Sequence, residues 1–577
     1  MSHLHHPRHA IAQLAATVIG TIAFAAHAVT PNPDAGALLR QTEQNLKLKK
    51  PPAALQRRNP TPAPVAKPSD ASVTVTRFAF AGHTLLSNDA LSAAVASYLN
   101  RPLNFNELQA AAAAVAQAYR EAGWLVTAYL PKQDVSNGVV TIQITEALLG
   151  KVSVQSPAPE RVAAQRLIQI FESQQPKGQA MQTSRIDRAL LLLDDLPGVI
   201  VTGNLQAGTS ANQTDMVLNA VDEPLIKGDL NTDNYGSVAT GVPRASLNAS
   251  VNSPLRLGDQ LQLNSLRTQG SEYTRLAYSV PVGNDGWRAQ VRGSNMKHHL
   301  VGALAATDGH GSAQTKGGEI SYPLLRSQTS NLNFSLGYDL KHYDNYDSTG
   351  LTSRYDTRAS SMGLSGNHID ASGNTHNYGI TWVRGTVDLT DAPAAYATNI
   401  QNGPNTAGRY DRLAINLSRQ QPLSVDTSLL LAYAAQVANR NLDSSEKIYL
   451  EGPSSVRAYG VGATGLGGTE GQTFTAELRH NLDAHWRLSE FYDYGRATAN
   501  RNNNKADGTG VIADVNNYQL RGVGMTLGWQ SIQGIELKAT VARRVGLNPN
   551  AKSLDPRLDQ DGTYRNPRYW LSATFAF

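Results

Sequence analysis

Phe474-Thr475-Ala476-Glu477-Leu478-Arg479 places Phe474, Ala476 and Leu478 on one side of an extended chain and Thr475, Glu477 and Arg479 on the other. Side chains alternate along a strand with period two, so the segment reads as a strand with one apolar and one polar face. The same alternation sets Leu276, Tyr278 and Val280 against Arg275, Ala277 and Ser279, and runs through Leu429, Leu431, Tyr433, Ala435 and Val437. It returns at the end of the sequence as Tyr569, Leu571, Ala573, Phe575 and Phe577. From about Lys227 onward such segments of roughly ten residues recur between Gly, Asn, Asp and Ser turns, and no helix is expected there. Sixteen are expected, beginning near Ile226, Arg244, Gln260, Glu272, Trp287, Lys316, Asn331, Tyr355, Asn374, Arg409, Asp426, Gln472, Trp486, Asn517, Gly534 and Arg568. An even number of strands, each with one apolar face and about 22 residues per strand and connection, is what a sheet closed in lipid requires.

Composition agrees. The chain of 577 residues is 41% hydrophobic but only 17% charged, against about 25% for an average globular chain, and has no cysteine. Disulfides, thiol nucleophiles, iron–sulfur clusters and thiolate metal sites are therefore excluded. The formal charge of +5 is not spread evenly. Arg40, Lys47, Lys49, Lys50, Arg57, Arg58 and Lys67 outweigh Asp34, Glu43 and Asp70, Arg8 adds one more charge, and the rest of the chain is neutral. A nucleic-acid surface needs a clustered basic face on a folded domain, and none is expected.

Residues 1–28 read as a secretory signal peptide: Arg8 in a polar start, an apolar core over Ala10–Ala26, and a small-x-small site at Ala26-His27-Ala28. No other window approaches the ~20 apolar residues of a membrane helix, so a membrane-spanning form must use strands. Pro33–Lys50 reads as one helix, with Asp34 in its first turn, Leu38, Leu39 and Leu46 near one face and a Lys-rich last turn suited to the helix dipole. Pro51–Pro68 is basic and Pro-rich, an extended linker.

Two α+β units follow. In the first, Val73–Phe78 reads as a strand and Phe80-Ala-Gly82-His-Thr as a turn; Asn88–Leu99 and Phe105–Ala122 read as helices. Leu125–Leu130 and Val139–Thr145 read as strands joined through Asn137-Gly138, a hairpin signal. The second repeats the order more shortly, with Arg161–Glu172 and Arg185–Asp194 as helices and Pro197-Gly198 turning into the strand Val199–Leu205.

Catalytic motifs are thin. Gly460-Val-Gly462-Ala-Thr-Gly465 matches a dinucleotide pattern, but no βαβ unit surrounds it. His298, His299 and His310 cluster around an expected surface loop without the ligand spacing of a metal site. No Ser/His or carboxylate constellation announces itself, and the chain reads as a non-enzyme without cofactor or metal.

The distinctive feature is a long connection between the eleventh and twelfth strands, Ile448-Tyr-Leu-Glu-Gly452-Pro453-Ser-Ser-Val456-Arg457-Ala458-Tyr459-Gly460. Two strands on, Phe491-Tyr-Asp493-Tyr-Gly495 puts Phe491 and Asp493 on the lumen face, opposite Tyr492 and Tyr494. Glu490 misfits, since alternation sets it with the tyrosines; a bulge or an interfacial position is expected there.

These features together resemble an outer-membrane transporter of two-partner secretion systems. The resemblance also rests on Tyr119-Arg120…Gly123…Leu130-Pro131-x-Gln133…Gly138 in the first unit and Leu196-Pro197-Gly198-Val199 in the second. In the barrel it rests on Asp233-Asn-Tyr-Gly236…Thr240-Gly241, Pro254-Leu-x-Leu-Gly258-Asp259 and Tyr278-Ser-Val-Pro281. Val456-Arg457-Ala458-Tyr459 resembles the family's inward-folded loop tip, and Phe491-x-Asp493-x-Gly495 the wall that receives it. Two departures stand out: the family usually has glycine where Ala458 and Pro453 are. Ala in a left-handed conformation costs about 1–2 kcal/mol, so the tip is expected either to use an ordinary backbone or to differ locally.

The resemblance implies a mainly β fold: a 16-stranded transmembrane β-barrel preceded by two small α+β POTRA domains and an N-terminal helix. It divides the chain into a plug helix (29–50), a linker (51–71), POTRA domains (72–149 and 150–223) and the barrel (224–577). It implies an outer-membrane pore of a Gram-negative bacterium, with POTRA domains in the periplasm that recognise an unfolded exoprotein partner and pass it to the surface without nucleotide hydrolysis. Arg457 and Asp493 would be the loop-anchor pair, with Val456, Tyr459, Gly460, Phe491 and Gly495 forming tip and receiving wall. Tyr569, Leu571, Phe575 and Phe577 would be read by the barrel-assembly machinery and face outer-membrane lipid. The rival readings are an outer-membrane insertase of the same superfamily and a diffusion porin.

Overall fold

The computed structural model describes residues 33–46, 72–210, 212–550, 555, 557–560 and 562–577. The expected leader and linker lie outside them. Helix α1 covers Ala35–Leu46, beginning two residues later than the expected Pro33. Asp34 precedes it as a cap: its Oδ1 accepts the Ala37 N–H at 2.7 Å and its carbonyl the Leu38 N–H at 3.0 Å. The expected Lys-rich turn lies outside the described residues.

The first α+β unit holds β1 (Ser72–Thr74), β2 (Arg77–Ala81), α2 (Asn88–Val95), β3 (Pro102–Asn104), α3 (Phe105–Glu121), β4 (Val126–Tyr129) and β5 (Val139–Glu146). The single strand expected over Val73–Phe78 is in fact two. The Val75 carbonyl accepts from Asn100, and the Thr76 and Arg77 N–H groups turn to the Gly138 carbonyl, breaking the run. The turn expected at Phe80 begins only at Gly82, where φ is +83°. Asn137-Gly138 makes no two-residue hairpin: β4 and β5 pair with Tyr129 opposite Gln143, leaving a long connection. Gly138 instead uses φ +68° to enter β5. Tyr119, fully buried, donates to Glu146 at 2.8 Å, and the same carboxylate accepts the N–H groups of Thr84 and Leu85. The second unit holds β6 (Leu148–Val154), α4 (Ala164–Gln174), α5 (Thr183–Asp194), β7 (Val199–Ala207) and β8 (Gln213–Asp222), with strand order β6-β8-β7.

A closed antiparallel barrel follows: β9 (Ile226–Asp233), β10 (Arg244–Asn252), β11 (Gln260–Arg267), β12 (Ser271–Val282), β13 (Trp287–His299), β14 (His310–Arg326), β15 (Ser330–Asp347) and β16 (Gly350–Ile369) form its first half. The second half comprises β17 (Thr375–Asp388), β18 (Gly408–Pro422), β19 (Thr427–Ala438), β20 (Glu470–Asn481), β21 (Trp486–Thr498), β22 (Asn517–Gln530), β23 (Ile535–Arg544) and β24 (Arg568–Ala576). β24 closes on β9, from Ser572 opposite Asp233 to Ala576 opposite Asp229. The short turns lie at the end that carries the second α+β unit, periplasmic on the resemblance above, and the long loops at the other. No described helix is long and apolar enough to cross a membrane.

Two strands begin earlier than expected, at His310 rather than Lys316 and at Gly350 rather than Tyr355. Their inward residues, such as Ala313 and Tyr355, pack in the cluster that holds Leu38 and Leu39, while the alternate positions Gln314, Lys316, Arg354 and Asp356 are polar, so no apolar outer face marks these ends in the sequence. The expectation of no helix beyond Lys227 also fails: α6 (Ala394–Asn402) lies in the outer connection between β17 and β18. Its sequence AAYATNIQN has too weak an apolar stripe to signal a helix. Glu490 needs no bulge, for the β20–β21 ladder is continuous, with Glu490 opposite Leu478 on the outer face.

Candidate loop-anchor and plug site

The connection between β19 and β20 folds back into the barrel rather than outward. Ile448 pairs with Gly468, and Gly452, at φ +111°, lets the chain double back so that its N–H reaches the Tyr459 carbonyl at 3.1 Å. Val456 and Tyr459 donate to the carbonyls of Leu450 and Val456, tying the tip into a compact knot. Ala458 does not adopt a positive φ, so of the two expectations the ordinary backbone holds. Its Cβ points at Gly522, where an added Cβ would stand only 2.6 Å away. A glycine on the wall thus makes room for the side chain on the tip.

Arg457 meets Asp493 through two parallel contacts, Nε to Oδ2 and Nη2 to Oδ1, both 2.9 Å, and its backbone N–H adds a third at 3.1 Å. Its Nη1 donates to Glu477 at 2.6 Å, and the guanidinium lies 3.3 Å from the Phe491 ring centre. Thr475 donates to the remaining side of Asp493 at 3.0 Å. The Asp493 side chain is 1% exposed and that of Arg457 13%. The pair is a buried, fully hydrogen-bonded fork, the strong form of charge-assisted contact, not a solvated bridge. Val456 packs on Gly495, Phe491 closes over Gly524, and Gly460 lies against the Arg568 guanidinium. From sequence, Glu477 and Thr475 read only as the polar face of a strand, not as site residues. Their signal was present: both share the polar face of the strand beside Asp493.

α1 lies in the outer half of the lumen. Ala35 donates to Asn345 at 2.7 Å, Ser444 to Asp34 at 2.8 Å, and Arg40 to the Lys447 carbonyl at 3.1 Å and to Gln436 at 3.3 Å. Leu38 and Leu39 are buried with Leu266, Tyr273 and Met296 from the wall. The Leu46 side chain lies outside the described residues. Gly36 fits where Tyr355 approaches: an added Cβ would be 2.6 Å from its hydroxyl. Beneath the helix a lumen cavity of about 760 Å³ is lined by groups including Arg40, Glu43, Arg292, Asp339, Lys341 and Glu446.

Tyr569, Leu571, Phe575 and Phe577 all face outward, while Trp570 turns into the lumen. Phe577 closes the seam by exchanging backbone hydrogen bonds with Gly228 at 2.9 Å each. His298 is buried and His310 stacks on Tyr346. Among the described residues no group of three His, Asp or Glu side chains is placed to hold a metal ion.

A closed 16-strand barrel with POTRA-like units at its periplasmic end and an inward-folded loop defines an outer-membrane transporter of the POTRA-bearing class. Residues 73–147 match the ShlB-type POTRA domain, and residues 212–517 match the family described as haemolysin secretion/activation protein ShlB/FhaC/HecB. The chain belongs to that family. It is similar to the heme/hemopexin transporter protein HuxB of Haemophilus influenzae (strain 86-028NP), at 21% identity over 85% of this chain and 84% of the relative. It also resembles the outer membrane transporter CdiB of Escherichia coli, at 22% identity over 69% and 68%. In fold it resembles the solved CdiB from Escherichia coli, with TM-score 0.68 and 19% identity over 95% of this chain and all of that one. BamA from Haemophilus ducreyi lacking POTRA domains 1–3 gives TM-score 0.52 at 14% identity, over 88% of this chain and all of that one.

Proposed function

We propose that this chain is a pore that captures an unfolded exoprotein in the periplasm and passes it through the barrel without nucleotide hydrolysis, and that it is not an enzyme. The observation that carries the reading is a lumen filled by two parts, α1 and the long loop, each held by side-chain contacts rather than by strand pairing. A pore that carries a polypeptide must be emptied: α1 is the part that withdraws, while the long loop stays anchored to the wall. Capture fits an exposed sheet edge: β7 is an edge strand, and Ile200 and Leu205 on it are half exposed, which suits an added extended segment. The proposed division of the chain is that given above, with α1 as plug, Arg457–Asp493 as anchor, and Tyr569, Leu571, Phe575 and Phe577 as the segment read by the barrel-assembly machinery and set against lipid.

Deleting residues 32–50 should raise single-channel conductance in planar bilayers while secretion of the partner continues; unchanged conductance would refute the plug. The insertase reading has behind it only the fold likeness to BamA, which is weaker than that to CdiB. Co-expression with the neighbouring exoprotein gene separates the two: a transporter releases that product to the surface or medium, whereas an insertase leaves its secretion unchanged.

A further inference from the structure

The structure assigns to the buried cluster Arg544–Asp559–Arg568 the role of a second anchor, which positions the distal limb of the long loop from the opposite side of its tip. Arg544 ends β23, Arg568 begins β24, and Asp559 lies in the outer connection between them. The Arg544–Asp559 contact is 2.6 Å and the Arg568–Asp559 contact 3.2 Å, with side-chain exposures of 2% for Arg544, 1% for Asp559 and 9% for Arg568. Asn548 donates to the same carboxylate at 3.2 Å.

What this cluster grips is backbone. Arg544 Nε donates to the Ala458 carbonyl at 3.2 Å, and its guanidinium lies 4.6 Å from the Tyr459 ring centre. Asn548 Nδ2 and the Gln560 N–H both reach the Ala463 carbonyl at 3.0 Å, Asn550 reaches that of Thr464 at 2.7 Å, and Trp570 Nε1 that of Arg457 at 2.7 Å. Arg568 fills the space beside Gly460. Carbonyls of the tip and of its distal limb are thus satisfied from β23, β24 and their connection. The Arg457–Asp493 fork draws instead on β20 and β21. The loop is held at two places on the wall by independent charges, and at the second most hydrogen bonds go to its backbone, with Tyr459 the loop side chain that also takes part. Gripping carbonyls tolerates changes such as Ala458 at the tip.

The test uses the full chain in the outer membrane of intact cells. Because the protein has no cysteine, Ala463→Cys supplies a single thiol at a buried position, 6% exposed, and Thr349→Cys on an exposed outer turn is the reference. Labelling by a membrane-impermeant maleimide should rise about tenfold or more at position 463 when Asp559→Asn is added, the scale of one charge-assisted contact. Labelling at 349 should not change, and the folded barrel should keep its heat-modifiable mobility. Labelling at 463 within about twofold of its parent, or an equal rise at 349, would overturn the assignment. Should Asp559→Asn yield no folded barrel, Asn550→Ala, which removes one carbonyl contact and leaves the charges intact, is read by the same criterion. No secreted partner enters the measurement, so its outcome is separate from that of the transport reading.

Discussion

Arg457 and Asp493 show what burial does to a salt bridge. An exposed pair is worth ~0–1 kcal/mol, but removing one partner of a buried pair leaves an uncompensated charge and costs about 3–5 kcal/mol. Arg457→Ala should therefore free the loop and lower secretion strongly. Glu477→Gln, which leaves the two-pronged contact to Asp493 intact, should be the milder variant by secretion assay. Arg457→Lys should resemble Ala more than wild type, because a lysine ammonium cannot make the parallel fork; normal secretion by that variant would show that charge alone suffices. The complementary fit on the wall is steric. Gly522→Ala should force Ala458 out of place and reduce yield of folded barrel, whereas Gly522→Ala with Ala458→Gly should recover it. The Arg457–Asp493 pair was legible before the fold because a lumen-facing Asp in a recognisable strand sits near a recognisable tip. Arg544–Asp559 was not. Nothing in the spacing of 544 and 559 says that their connection leans over residues 458–464; only closure of the barrel brings β23 and β24 beside the long loop.

At the level of elements, the polar contacts at the N-terminus of α1 make its docking sensitive to pH. Burial, followed by the nearby Asp443, pushes the Asp34 carboxyl up to about 6, against hydrogen bonds from Ala37 and Ser444 and the charge of Lys447, which pull it down. A released Asp34 returns to an ordinary value near 3.8. Docking thus takes up a proton between those values: the docked state is favoured most below the released value and loses that advantage as pH rises through about 6. Open-channel events in planar bilayers should be rarer at pH 4.5 than at pH 7.5, and Asp34→Asn should flatten the dependence. The strands themselves were the most legible elements. Trp287, Trp486, Asn517 and Arg568 mark their starts because a turn residue or an interfacial aromatic stands where alternation begins. α6 and the outer halves of β14–β16 were not legible, since neither presents a single apolar face to a single apolar solvent.

For the whole molecule, the periplasmic unit and the barrel are joined by more than the chain. Arg326 contacts Asp195 through two 2.8 Å hydrogen bonds, Arg188 donates to the Pro323 carbonyl at 3.0 Å, and Arg166 donates to Asn284 at 2.5 Å. Leu196 packs where Gly258 leaves space in the barrel's first periplasmic turn. Asp195 is half exposed, so Arg326→Ala alone should cost little, ~0.2–1 kcal/mol. Arg326→Ala with Arg188→Ala should instead expose the segment at residues 222–226 to limited proteolysis in detergent, without change in the barrel's melting.

On the proposed plug reading, the position of α1 would set a kinetic scale as well as a closed state. Twenty-five residues separate Leu46 from Ser72, the first residue of β1. A helix leaving the lumen would therefore stay leashed to its own barrel, at an effective concentration set by the length and stiffness of that connection. Resealing is a first-order event, independent of how many copies share the membrane. Lengthening the leash slows it only gradually, while shortening it below the span from lumen to periplasm removes it outright.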